Sequence, residues 1–367
     1  MKKRSLVRIP VVEPWIDAQE KKWLDKVVSS GWVTEHDLTH EFESLLKTYT
    51  KAKFALAVTN GTAGLFVALK AIGIGPGDEV LVPDLTFIAT ANAVIMAGAR
   101  PVLVDVDLHT FGIDIRAAER KITKKTKAII PVHLYGFAAD MDAVMKLAKK
   151  YRLFVVEDAA QGMGVFYKSK HLGTLGHIGM ISFFGNKTMT CGEGAILLTN
   201  KEYFHRKSYR LKNHGRDNRG TFIHTDIGFN FSFTEMQAAL GIAQFHKLRR
   251  IIARKKQIRD LYEHILKDVP DCRFWKTPPH VRSVFWFTNV LVPDAAGLSR
   301  FLEEKGVQSR RFFYPLHKQP CYRHFRFGKK FPNAVYLYKH GLSLPSSVTT
   351  PLHEIRRVAF LVKEYFS

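Results

Sequence analysis

The chain has 367 residues, is 46% hydrophobic, and sets 56 Lys and Arg against 33 Asp and Glu, a net charge of +23. That length and apolar content suit a globular protein with one large domain and a smaller one. No stretch approaches the roughly 20 apolar residues that span a bilayer, which excludes a membrane-spanning helix. The basic start, Met1 to Pro10, has no apolar core behind it, so a signal peptide is not expected. Cys191, Cys272 and Cys321 are widely spaced. They argue against a disulfide scaffold and against a structural zinc or other metal site, and they fit a reducing, cytoplasmic compartment. The positive charge gathers over Arg206 to Arg219, Arg249 to Lys256 and Arg323 to Lys330. Such an excess concentrates anionic substrates and could favour nucleic acid or membrane surfaces. No zinc finger, RNP-type strand or basic zipper accompanies it, and the middle cluster reads as the solvated face of a helix, so neither partner is expected.

From about residue 54 to 200, apolar strand-like runs alternate with helical stretches, the pattern of a largely parallel sheet covered on both faces. Run 54–58 leads through Asn60-Gly61-Thr62 into a helix pattern ending near Ala71. Free N–H groups and the helix dipole at that junction favour a phosphate, with Gly61 permitting close approach and Thr62 adding a hydroxyl. Asn or Thr at a helix start also serves as a plain cap. Run 79–82 ends at Pro83, and Phe87 follows, either a core residue or a ring face for stacking. Segment 101–106 is a buried strand. Segment 128–133 is another, weakened by Pro131 and ending in His133, read as a satisfied structural histidine. After a helix over 141–150, run 153–158 ends on Asp158. A buried carboxylate needs a partner. Asp158 is either a cap for the next helix or the counterion of a protonated ring nitrogen, and Gln161 lies one turn further on. Ligands of such sheets gather at the carboxyl ends of the strands, where Asn60, Asp84, His133, Asp158 and Lys187 all fall.

Lys187 lies in Ser182-Phe183-Phe184-Gly185-Asn186-Lys187-Thr188-Met189-Thr190-Cys191-Gly192-Glu193-Gly194. Taken alone, a lysine is a solvated surface group. With small neighbours, a hydroxyl before it and a carboxylate on a preceding strand, it suits a covalently held pyridoxal phosphate. Lys187 would bond to the cofactor, Asp158 would keep its ring nitrogen protonated, and Ser182 would help bind its phosphate. Gly192-Glu193-Gly194 lets the backbone turn tightly just after. Asn230, in Gly228-Phe229-Asn230-Phe231, has no local reading better than a turn. Past residue 245 the pattern changes to a long basic helix (about 234–268), Pro278-Pro279 and short strands such as 284–290. The expected division is a large domain over 1–245 and a smaller α+β domain over 246–367. The helix joins the two, and the N-terminal segment packs on the smaller one.

With these residues in place the chain resembles the sugar aminotransferases of the DegT/DnrJ type, within the pyridoxal-phosphate fold of aspartate aminotransferase. The resemblance runs from about Trp32 to the C-terminus. Its most specific stretches are Asn60-Gly61-Thr62, 73–80, 156–161, 182–194, and Gly228-Phe229-Asn230-Phe231 with Gln237-Ala238-Ala239. It implies an α/β fold of type I, with a central, mainly parallel seven-stranded sheet. It also implies Lys187 as the cofactor-bonded lysine, Asp158 at the ring nitrogen, Gln161 near the ring hydroxyl and Phe87 on the ring face. Gly61, Thr62 and Ser182 would hold the phosphate. Asn230 would reach the phosphate of the neighbouring subunit, making a homodimer the smallest active unit. His317 matches a recurrent family histidine near the substrate cleft. Relatives often carry arginine two residues after the asparagine, where this chain has Ser232. A substrate carboxylate must then be met elsewhere, with Arg216 and Arg219 as candidates.

Within the family, 183–187 and 131–136 are most similar to GDP-perosamine synthases, which place an amine at C4 of GDP-linked 4-keto-6-deoxymannose, a step toward lipopolysaccharide O-antigen. The implied reaction is ping-pong transamination. L-glutamate leaves its amine on the cofactor as pyridoxamine phosphate, and the amine passes to the nucleotide-linked sugar. The same chemistry on a UDP- or dTDP-linked 4-keto sugar stays open. A sugar 3-dehydratase of this fold typically has histidine where this chain has Lys187. A non-catalytic nucleic-acid-binding regulator has only the charge in its favour.

Overall fold

The computed structural model describes residues 9–218, 220–328 and 330–367. Helices α1 (Ala18–Ser30) and α2 (Asp37–Thr50) precede β1 (Phe54–Val58), α3 (Gly61–Ala71), β2 (Glu79–Pro83), α4 (Ala89–Met96) and β3 (Arg100–Val104). Then come α5 (Ile115–Glu119), β4 (Thr126–Ile129), α6 (Met141–Tyr151), β5 (Phe154–Asp158), and the short β6 (Phe166–Tyr167) and β7 (Lys170–His171). β8 (Ile178–Ser182), β9 (Ala195–Thr199), α7 (Glu202–Lys212) and α8 (Glu235–Leu266) follow. The remainder holds β10 (Arg273–Phe274), β11 (Val281–Arg282), β12 (Thr288–Leu291), α9 (Ala295–Glu304), β13 (Arg310–Arg311), α10 (Pro332–His340), β14 (Gly341–Leu344) and α11 (Leu352–Tyr365).

Seven strands form one sheet in the order β1-β9-β8-β5-β4-β2-β3. Only β9 runs antiparallel to its neighbours; the other pairings are parallel. β8 and β9 are buried along their whole length, as strands covered on both faces must be. Because β1, β2, β4, β5 and β8 point the same way, the junctions that follow them meet along one edge of the sheet. The strand expected over 128–133 stops at Ile129. Pro131 has no N–H to offer the ladder, and Val132 rejoins only as an isolated bridge to Asp158. Likewise 284–290 becomes a strand only at Thr288, because Trp286 and Phe287 are drawn into the core.

α8 opens with a capping box, Gln237 N–H donating to Thr234 Oγ1 at 3.2 Å and Thr234 N–H to Gln237 Oε1 at 3.0 Å. It crosses residue 245 without a break. Its far half gives Ile258, Tyr262 and Leu266 to a core shared with β12, β14, α9 and α11. Ile9 enters that core and pairs with Val307. A four-stranded antiparallel sheet, β10-β12-β14-β13, backs it. The basic cluster at 249–256 is not wholly solvated as its composition suggests. Lys255 is buried, its Nζ donating to Trp286 O at 2.9 Å and Ser346 O at 3.3 Å. Among the described residues no helix is long and apolar enough to cross a membrane.

Candidate functional site

A cavity of about 550 Å³ opens at the carboxyl edge of the large sheet, lined by Gly61, Thr62, Phe87, Asp158, Gln161, Ser182 and Lys187 among others. They come from four junctions, after β1, β2, β5 and β8, and the parallel arrangement of those strands brings them together. At the start of α3, Asn60 Oδ1 accepts the Ala63 N–H at 2.9 Å. Asn60 is therefore a cap, and it leaves the N–H groups of Gly61 and Thr62 without intrahelical partners. A side chain at 61 would meet Met180 Sδ at 3.3 Å and Ser182 Cβ at 3.4 Å. Glycine there allows the helix to close on β8, whose last residue, Ser182, offers its hydroxyl to the same space. The result is a cluster of donors with a helix N-terminus behind them, suited to a phosphate.

Asp158 ends β5 with 5% of its surface exposed. Thr90 donates to its Oδ2 at 2.7 Å and the Ala160 N–H to its Oδ1 at 3.1 Å. Burial raises its pKa, only partly offset by these two bonds and by the charge of Lys187. A cationic partner within the cavity would restore the ionised form. Lys187 Nζ lies 4.2 Å from the centre of the Trp286 ring. Burial pushes its ammonium down to about 8, against the opposing pull of Asp158. An amine so adjusted carries a useful neutral fraction near pH 7, which a nucleophile and a general base both require. Just beyond, Gly192 has a left-handed φ of 80° that only glycine adopts freely.

Gln161 Oε1 accepts the Tyr135 N–H, which leaves its amide NH₂ to the cavity. Phe87 is 56% exposed, so its ring face is open there. Asn186 Oδ1 lies at the same cavity, buried and without a hydrogen-bond partner. Phosphate donors, a buried carboxylate, an exposed ring and an activated lysine form the donor set that a phosphorylated pyridine aldehyde needs.

A family model described as the DegT/DnrJ/EryC1/StrS aminotransferase family matches residues 14–363. The chain belongs to that family. It is 34% identical to the GDP-perosamine synthase of Vibrio cholerae over 365 residues, covering 98% of this chain and 99% of that one. It is 39% identical to the GDP-perosamine synthase of Caulobacter vibrioides, covering 96% and 97%. DesV of S. venezuelae has the same fold, with a TM-score of 0.91 at 30% identity over 95% of each chain. The protein is a sugar aminotransferase that depends on pyridoxal 5′-phosphate.

Of the other residues of the aminotransferase singled out in the sequence, His133 also lines that cavity, whereas Asn230, Arg216 and His317 do not. Asn230 forms an isolated bridge with Asn213 and is exposed. Arg216 donates to Asn213 Oδ1 at 2.8 Å and covers the Phe222 ring. Arg219 lies outside the described residues. His317 is held by Asp84, through Nδ1 at 2.6 Å and its own N–H at 2.8 Å, and stacks on Phe331. It borders a separate basic hollow with Lys318 and Arg323. His133 is satisfied, its Nδ1 accepting from the Ala139 N–H at 3.2 Å. Its Nε2 therefore carries the proton and donates to Glu157 at 3.0 Å.

Sequence reasoning passed over Thr90, Trp286 and Arg310, which the fold adds to the site. Thr90 follows Phe87 by three residues, a spacing that places both near the same helix start. Trp286 and Arg310 come from beyond α8 and carry no local signal.

Proposed function

We propose that this aminotransferase moves the amino group of L-glutamate to the C4 ketone of a nucleotide-linked 4-keto-6-deoxy sugar, with GDP-4-keto-6-deoxymannose as acceptor and GDP-perosamine as product. What carries this is a lysine of lowered proton affinity facing a buried carboxylate across a cavity with a phosphate cradle. Identity to two GDP-perosamine synthases along nearly their whole length supports the choice of sugar. Gly61, Thr62 and Ser182 would hold the cofactor's phosphate, Asp158 would serve its ring nitrogen, Gln161 its ring hydroxyl, and Phe87 would cover a face. Bound there, pyridoxal phosphate supplies an electron sink and a carbonyl that exchanges amines. Lys187 Nζ takes the proton from the donor's α-carbon as a general base, and in the second half-reaction delivers one to C4 of the sugar as a general acid. The positive excess draws in the nucleotide diphosphate. Amination by glutamate, assayed across GDP-, UDP- and dTDP-linked 4-keto sugars with products identified by mass and NMR, tests the assignment. GDP-perosamine should form fastest, and turnover confined to a UDP- or dTDP-sugar would reject this acceptor.

The working unit is a homodimer in which Asn230 serves the neighbouring subunit's site. In the single chain Asn230 is exposed beside Phe222, Ile223 and Ile227, which are 84%, 72% and 89% exposed. So much apolar surface in one loop calls for a cover. Mixing an inactive Lys187→Ala subunit with an Asn230→Ala subunit should restore part of the activity, since one of the two sites in each hybrid then has both residues intact. No recovery after subunit exchange confirmed by mass would rule out the shared site.

A further inference from the structure

Arg310 is a half-buried cation with nothing to balance it. It begins β13, paired with Ser343 of β14, and lines the Lys187 cavity. Among the described residues its guanidinium has no carboxylate or hydrogen-bond partner; it lies over the Phe287 ring, 5.3 Å from the centre. The four most deeply buried Lys and Arg side chains among the described residues are satisfied. Lys212 has Glu35 at 2.8 Å, Lys247 has Glu20 at 2.6 Å, Arg259 has Glu263 at 2.6 Å, and Lys255 has two carbonyls. The next residue, Arg311, donates to Tyr338 O at 2.9 Å. Taking an unpaired guanidinium out of water is costly, so one kept this way at a cavity wall has its counterion in a ligand.

We propose that Arg310 seats the α-carboxylate of the amino donor. This rests on the aminotransferase reading of the cavity. Arg310 is close enough to Lys187 for its charge to bear on that amine. In the donor, the carboxylate is one bond from the α-carbon whose proton Lys187 takes. In the acceptor, the diphosphate is on C1, across the pyranose ring from the reacting C4, and so lies away from the lysine. A guanidinium beside the lysine therefore matches the amino acid, and its planar fork fits a carboxylate through two parallel bonds.

The experiment uses the cofactor-loaded enzyme, with glutarate as a non-reacting stand-in for the donor and GDP for the acceptor's nucleotide, both titrated by calorimetry. Arg310→Gln should weaken glutarate by about 10- to 100-fold, the scale of a lost charge-assisted pair, while GDP affinity stays within about two-fold. Arg310→Lys should recover part of the loss, keeping the charge without the fork. The KM for glutamate should rise in step. The melting temperature of Arg310→Gln should not fall, since among the described residues the Arg310 side chain makes no hydrogen bond and its backbone pairing with Ser343 is kept. Unchanged glutarate affinity, or an equal loss for GDP, overturns the proposal. If no nucleotide-linked keto sugar is aminated but glutarate still weakens, the donor anchor stands and only the acceptor assignment falls.

Discussion

Lys187→Ala lowers turnover by at least ~10⁴-fold, the scale on which single catalytic groups are lost, and removes the visible absorbance of the cofactor-loaded protein. On the proposed reading two duties fall on the same nitrogen, the covalent bond to the cofactor and the proton transfer at the substrate carbon, and among the described residues no second amine lines the cavity to take either. Lys187→Arg should fare no better, because a guanidinium stays protonated at any pH the protein survives. Absorbance spectra and steady-state rates decide this, and wild-type turnover in either variant would refute the assignment. The shift in Lys187 has its own consequence for stability. Its proton affinity is about 8 in the fold against 10.5 for a free lysine. Between those values the unfolded chain binds more protons, so stability rises with pH across that window. The penalty for burying the ammonium is full below pH 8 and relieved toward 10.5. Cofactor-free Lys187→Met should therefore melt higher than the cofactor-free wild type at pH 7, and the gap should close above pH 8.

Asp158→Asn should lower kcat by about 10²- to 10³-fold, the range seen when a preorganised electrostatic group is removed. Size and shape barely change and Thr90 remains within reach of the amide, so the loss reports charge. A neutral amide cannot hold a ring nitrogen protonated, and the electron sink weakens. Because Asp158 does not meet the donor's carboxylate, the KM for glutamate should move only a few-fold. Wild-type kcat in Asp158→Asn, measured with the cofactor in excess, would remove it from the mechanism.

These two residues were legible before folding for different reasons. Asp158 ends a run too apolar to leave a carboxylate there without a task, and Lys187 sits among small residues after a hydroxyl. The strands were legible because burial on both faces demands continuous apolar runs, and Asn60-Gly61-Thr62 because a helix start has its own chemistry. Lys255 shows how a signal is missed. By composition it belongs to a charge run, yet it falls in register with Ile251, Ile258 and Tyr262 at the spacings of one helix face. That stripe is buried, and the lysine goes inside with it.

The sequence alone determined the alternation of strands and helices, the edge at which a ligand sits, and the chemistry that Lys187 and Asp158 can perform. Those follow from local patterns of polarity and from which residue types can bond a carbonyl or hold a proton. Only the tertiary structure decided that Trp286 covers the lysine, that Thr90 holds the aspartate, that His317 belongs to Asp84 rather than to the cavity, and that Arg310 stands there without a counterion. Each of those is a contact between segments far apart in the chain. Their meeting depends on how sheet, helix and small core pack together, which no local run of residues encodes.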